Sequence, residues 1–229
     1  SKDLEFALKM GQYLNRMGLD SLSTGETIGW AMECVEKGIF DKNDFDGLEF
    51  TWGNTDTVEK ILEKIIYQEG VGADFAKGTR YLSEKMGKGS EKYALHVKGL
   101  DIICGDPRGI KAFGLTYAIA SRGGDHLRAE PFFELTNRFD EAQKRFGTRD
   151  AADRLSNNGK AALVEYSERQ ALLTDCLTMC KNVGLSMDVL DFKLAADLLT
   201  SGTGLKFTEN VVNKALRGTI TKDRLMNID

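Results

Sequence analysis

Proline and histidine are nearly missing from this sequence, with 2 of each in 229 residues. Scarce proline favours helices, because proline removes an amide donor and clashes inside a helix. Cysteine is sparse too. The four are Cys34, Cys104, Cys176 and Cys180, no two of them spaced CxxC, and they do not make a disulfide framework. A reducing, cytoplasmic setting is therefore expected. No apolar run approaches the roughly 18 residues of a membrane span, and the N-terminal SKDLEFALKM has no secretory character. A basic excess is also lacking. The formal net charge of −4 argues against a nucleic-acid partner.

What is present is ordinary for a globular chain, with 41% hydrophobic and 29% charged residues, apart from an abundance of glycine at 24 residues. Glycine at that level belongs at helix ends or where a backbone must come close to something. The apolar spacing then reads as helix after helix. In DLEFALKMGQYLNRMG, Leu4, Leu8, Tyr13 and Met17 recur at helical spacing before Gly18. STGETIGWAMECVEKG opens with a capping-box pattern, Ser23 and Glu26. NTDTVEKILEKIIYQEG carries the cleanest stripe, Val58, Ile61, Leu62, Ile65 and Ile66, behind a polar cap. The two short apolar runs 93–97 and 100–104 are the only candidate strands, and a long helical pattern covers 157–184. No alternation of strand and helix occurs. The expected fold is all-α and multihelical, in two helical domains, 1–95 and 96–229, with a glycine- and lysine-rich seam near 88–100.

The segment SRGGDHLRAE, residues 121–130, interrupts the helices. Each glycine costs roughly 1 kcal/mol inside a helix, so Gly123-Gly124 marks a break. The break leaves Arg122, His126 and Arg128 beside bare backbone. By themselves these residues read either as a charged turn or as an anion site with a titratable imidazole next to it. Cys176 and Cys180, four apart on the expected helix, would share one face, either as small apolar residues or as ligands needing companions. His96, in an apolar run, reads as structural.

Taken in order, NRMGLDSLSTGETIGWAMECVEKGIF, GLEFTWGN, EGVGADFAKGTRYLSEKMG, VKGLDIICGDPRG, FGLTYAIASRGGDHLRA and DCLTMCKNVG resemble the C-terminal helical part of the tungsten- or molybdenum-pterin aldehyde:ferredoxin oxidoreductases. That family holds its pterin partly through segments DxxGLD and DxxGLC. They read here as Asn15 to Asp20 and Asp175 to Cys180. The resemblance implies that Asn15, Leu19, Asp20, Asp175 and Met179 contact pterin. It also implies that Arg122 and Arg128 approach the dithiolene-phosphate part, that Cys180 is the last ligand of a 4Fe-4S cluster, and that His126 moves protons. On this view Cys176 belongs to packing.

The implied activity is oxidation of an aldehyde to a carboxylate by a tungsten (or molybdenum) bis-pterin and one 4Fe-4S cluster, with ferredoxin as electron acceptor. A homodimeric parent is compatible with it. The same resemblance places the family's N-terminal pterin domain and a CxxCxxxC motif ahead of residue 1. The chain is therefore expected to be an inactive piece on its own, with no cofactor bound. Three positions depart from the pattern: Asn15 stands for aspartate, and Thr178-Met179 for Gly-Leu. Those departures support an alternative, a non-catalytic helical module that binds an anionic ligand or a partner protein.

Overall fold

The computed structural model describes residues 3–103 and 105–228, and the chain forms two compact units, Ser1–Ile103 and Cys104–Asp229. Each has its own buried apolar core. The first unit holds helices α1 (Leu4–Met17), α2 (Ser21–Glu36), α3 (Thr55–Tyr67), α4 (Gly72–Phe75) and α5 (Thr79–Met86). Two strands come next, β1 (His96–Val97) and β2 (Leu100–Asp101), paired antiparallel with His96 opposite Asp101. This hairpin is what the two short apolar runs become. Cys104, at the end of the second run, lies outside the described residues. His96 accepts a hydrogen bond from the Gly99 amide at 3.3 Å, which closes the hairpin turn.

Three local expectations change in the first unit. Helix α1 forms and stops at Gly18 (φ 73°), but it buries Met10 and Leu14 and leaves Leu4 and Leu8 exposed. Two apolar stripes compete on that helix, and the one carrying Met10 and Leu14 faces the aromatic core. Helix α2 begins earlier than its capping-box pattern suggests. The chain turns back into helix directly after Gly18, so Asp20, still extended, takes the Ser23 amide at 2.7 Å and becomes the cap. Helix α3 has the expected Asn54 cap and buries Ile61, Leu62 and Ile65, but Gln68 (φ 55°) supplies the left-handed residue at its end. At Gly72 a side chain has no room, since a Cβ there would lie 2.2 Å from the Lys64 carbonyl carbon. Phe45, Phe50 and Phe75 fill the centre, with the rings of Phe45 and Phe50 4.7 Å apart.

The second unit holds α6 (Lys111–Ile119), α7 (Phe132–Leu135), α8 (Phe139–Phe146), α9 (Lys160–Cys176), α10 (Lys181–Gly184), α11 (Phe192–Thr203) and α12 (Glu209–Leu225). Helix α9 is central, with residues buried around much of its circumference, among them Leu163, Val164, Ala171 and Leu173. Helix α12 lies on it through Val212 and Leu216. The expected long helix is broken: α9 stops at Cys176, and Cys180 starts α10. Cys176 and Cys180 therefore do not share a helix face. Cys176 is exposed instead of packed, because Leu173 and Thr174 take the core-facing side of that last turn of α9.

Candidate functional site

The two motif segments, one in each unit, fold in the same way. In the first, the Gly18 amide donates to the Asn15 carbonyl (3.3 Å) and the Leu19 amide to the Leu14 carbonyl (3.0 Å). In the second, the Thr178 amide donates to the Asp175 carbonyl (3.1 Å) and the Met179 amide to the Thr174 carbonyl (2.9 Å). Both are Schellman turns, which close a helix by placing one residue in the left-handed region. That residue is Gly18 (φ 73°) in one and Thr178 (φ 54°) in the other. A β-branched side chain is costly there. Each turn then leads into the extended N-cap of the next helix, Asp20 for α2 and Cys180 for α10.

The side chains so presented are mostly at the surface. Asn15, Asp20, Asp175, Met179 and Cys180 are exposed and Leu19 is half-buried. Asp20 is partly committed as a cap. Asp175 accepts from the Lys181 ammonium at 2.6 Å. Cys180 forms no side-chain cap and is a free, exposed thiol. No group of three or more His, Cys, Asp or Glu is placed to hold a metal ion among the described residues. The donor set here fits one thiolate of an iron-sulfur cluster, with carbonyls and amides for a ring edge.

The SRGGDHLRAE segment leaves α6 and turns at Gly123 (φ 120°), a conformation that favours glycine. Asp125 is buried and organises the residues on either side of it. One of its oxygens takes the Leu127 amide at 2.9 Å, capping the short 3-10 turn His126–Arg128. The other takes the Nε–H of Arg122. His126 is half-buried, and burial pushes its pKa below the ordinary 6.5, with Asp125 pulling it up and Arg122 pushing it down. The imidazole is therefore neutral at neutral pH and able to accept a proton.

Arg128 turns toward α9 and α12. Its guanidinium donates to Asp223 Oδ2 at 3.1 Å and to Ser121 Oγ at 3.4 Å, and lies 4.0 Å from Asp175 Oδ2. These residues, with Glu168 and Arg224, line a cavity of about 40 Å³, room for an ordered water or a small polar group. Arg128 and Asp175 are thus brought together, and each of Arg122 and Arg128 already has a carboxylate partner. The sequence reading missed Asp223, Glu168 and Lys181. Lys181 comes directly after Cys180 and was legible as a neighbour. Asp223 lies 95 residues from Arg128, with no local signal. In the first unit it also missed Asp101, and it took Glu26 only as part of a capping box. Burial pushes both carboxyls up, with the Thr79 and Ser23 hydroxyls opposing it at Asp101 and Asp101 adding to it at Glu26.

Comparison with known proteins gives a consistent picture. Residues 1–229 match the family described as aldehyde ferredoxin oxidoreductase, domains 2 and 3. The chain is 39% identical over 127 residues to a tungsten-containing aldehyde ferredoxin oxidoreductase of Pyrococcus furiosus, covering 55% of this chain and 21% of that protein. A namesake from Thermococcus kodakarensis is 35% identical over the same shares. An aliphatic sulfonate oxidoreductase, WOR-like subunit, of Pyrococcus furiosus is 35% identical over 49% of this chain and 19% of that one. The matched stretch thus spans about a fifth of these relatives. Among solved structures, the active site complex BamBC of benzoyl coenzyme A reductase with 1,5-dienoyl-CoA superposes with a TM-score of 0.75 at 20% identity, over 99% of this chain and 39% of that one. That likeness concerns the fold. No helix among the described residues is long and apolar enough to cross a membrane.

Proposed function

The chain belongs to the aldehyde ferredoxin oxidoreductase family, and we propose that it serves, within a protein like its longer relatives, in oxidising an aldehyde to a carboxylate with ferredoxin as electron acceptor. The observation that carries this reading is the shared fold of the two motif turns, the second of which ends on a free, exposed Cys180. In the balanced reaction a water oxygen joins the carbonyl carbon, and the aldehydic hydrogen and both water hydrogens leave as three protons. Two electrons pass to the acceptor.

Bound tungsten (or molybdenum) pterin and a 4Fe-4S cluster would supply the electron-accepting chemistry. The chain's own residues bind, orient and move protons. Asn15, Leu19 and Asp20 from one turn, and Asp175 and Met179 from the other, offer acceptors and backbone to pterin edges. Cys180 provides one cluster thiolate. Arg122 and Arg128 would hold the phosphate-bearing part. His126, neutral and held by the Asp125-capped turn, accepts a released proton at a ring nitrogen. The reading as a non-catalytic module for an anionic ligand or a partner protein draws on Thr178, which occupies a left-handed position where the family places glycine.

The test is metal and iron analysis of the full-length parent protein produced without oxygen, with aldehyde-dependent ferredoxin reduction. The expected result is tungsten or molybdenum with about four irons per chain. The irons should be lost in Cys180→Ala, and turnover should be lost with metal retained in His126→Ala. A stable parent that holds neither metal nor iron sinks the enzyme reading in favour of the binding module.

A further inference from the structure

Arg128 is already occupied. Its nearest acceptor is Asp223 Oδ2 at 3.1 Å, on the last turn of α12, and Asp175 is farther off at 4.0 Å and bonded more closely by Lys181 at 2.6 Å. Asp223 is thus the carboxylate that neutralises this guanidinium. It does so on the wall of the 40 Å³ cavity that Arg128 and Asp175 share. A phosphate group seated on Arg128 would need the same donor edge and would meet a like charge at contact distance, so the two acceptors exclude each other.

The fastening of α12 allows exchange. Its polar ties to α9 are Arg224 to Glu168 at 2.6 Å, Arg217 to Glu165 at 3.0 Å, and Asn213 to Arg169. The side chains of Arg128 and Asp223 are 31% and 39% exposed, whereas Glu168, which takes Arg224 through both carboxylate oxygens, is only 12% exposed. Water and salt weaken the more exposed Arg128–Asp223 pair, and leave the sheltered Arg224–Glu168 pair to hold the helix end. The apolar anchors of α12, Val212 and Leu216, lie two to three turns before Asp223. The Asp223 side chain can therefore turn away from Arg128 to water while α12 stays in place.

We propose that Asp223 is an internal stand-in for a ligand phosphate. It holds Arg128 in the ligand-free chain and yields it, by turning its side chain out to water, when a phosphate group binds. This rests on the reading of Arg128 as a phosphate-contacting residue and adds a competitor to it. Asp223 is a positioning residue in this scheme, acting through Arg128.

The test is calorimetric titration of the 229-residue chain with inorganic phosphate and, separately, with phenyl phosphate. The variants are Asp223→Asn, Arg128→Gln and the double variant, each checked by circular dichroism. Asp223→Asn keeps the size of the side chain and removes its charge. Phosphate should bind it about 5- to 10-fold tighter than the parent chain, at the lower end of usual couplings between sites. That gain should vanish in the double variant. Tighter binding of phenyl phosphate than of inorganic phosphate would identify an organic ester as the source, and equal binding a free phosphate. Unchanged affinity in Asp223→Asn, with weaker binding in Arg128→Gln, overturns the competition but leaves Arg128 a phosphate site. No effect of Arg128→Gln in either background removes both.

Discussion

The Lys160 ammonium lies 2.6 Å from the Glu134 carboxylate, with both side chains almost wholly buried. Around them the backbone is arranged as further ligands. Glu134 Oε1 takes the Ala112 amide at 2.8 Å, and Lys160 donates to the carbonyls of Ala151 at 2.9 Å and Asp153 at 2.7 Å. The pair therefore ties together the starts of α6 and α9, helix α7, and the 3-10 turn Arg149–Ala152. Burial pushes the Glu134 carboxyl up, and Lys160 with the Ala112 and Phe113 amides pulls it back.

Breaking that pair from one side leaves a buried charge alone and typically costs about 3–5 kcal/mol. Lys160→Met should lose about that much in urea unfolding of the second unit. Glu134→Gln should lose less, because its amide oxygen still accepts from Ala112. A Lys160→Met variant as stable as the parent chain would show that the pair does not hold these elements.

Thr178 sits where glycine is at ease. A non-glycine residue in the left-handed region costs about 1–2 kcal/mol, of which glycine's extra chain entropy gives back about 0.5–1 kcal/mol. Thr178→Gly is expected to raise stability by about 0.5–1 kcal/mol, and Gly18→Ala to lower it, since Gly18 holds φ 73°. Denaturant midpoints of the two variants should move in opposite directions. Movement in the same direction would mean that the turns are not equivalent.

His126 makes stability depend on pH with a definite sign. Its folded pKa lies below the ordinary 6.5 because burial disfavours the imidazolium. Between those values the unfolded chain binds the proton and the folded chain does not. His126 therefore costs stability as pH falls through 6.5 toward the folded value. The melting temperature of the parent minus that of His126→Gln should fall between about pH 7.5 and pH 5. A constant difference across that range would rule out the burial effect.

The cysteines should separate by reactivity. Cys176 and Cys180 are exposed, whereas Cys34 is buried, with its thiol pushed up to about 11 by burial and by Glu33. In a Cys104→Ser background, iodoacetamide at neutral pH should label Cys176 and Cys180 in the native chain and reach Cys34 only after denaturation. Protection of Cys176 in native peptide maps would restore the packing role that its exposure contradicts.

The all-α architecture was legible because apolar periodicity and capping chemistry are local. Asn54 caps α3 and Gly18 ends α1, as their positions along the chain require. The family resemblance was legible for the same reason, since its motifs are short segments in a fixed order. Local reasoning went astray where two local solutions compete. Leu4 and Leu8 match helical spacing as well as Met10 and Leu14 do, and only the core they face separates them.

The sequence by itself determined that the chain is helical, that Gly18 ends its first helix, and which residues stand in the two motifs. These depend on backbone geometry over a few residues. Only the tertiary structure decided what those residues touch. It exposed the Cys176 thiol, buried Lys160 against Glu134, and brought Asp223 of α12 onto Arg128. The physical reason is that charge pairing and burial depend on distance in space. Two residues 95 apart in the chain carry no mark of each other until the helices between them have packed.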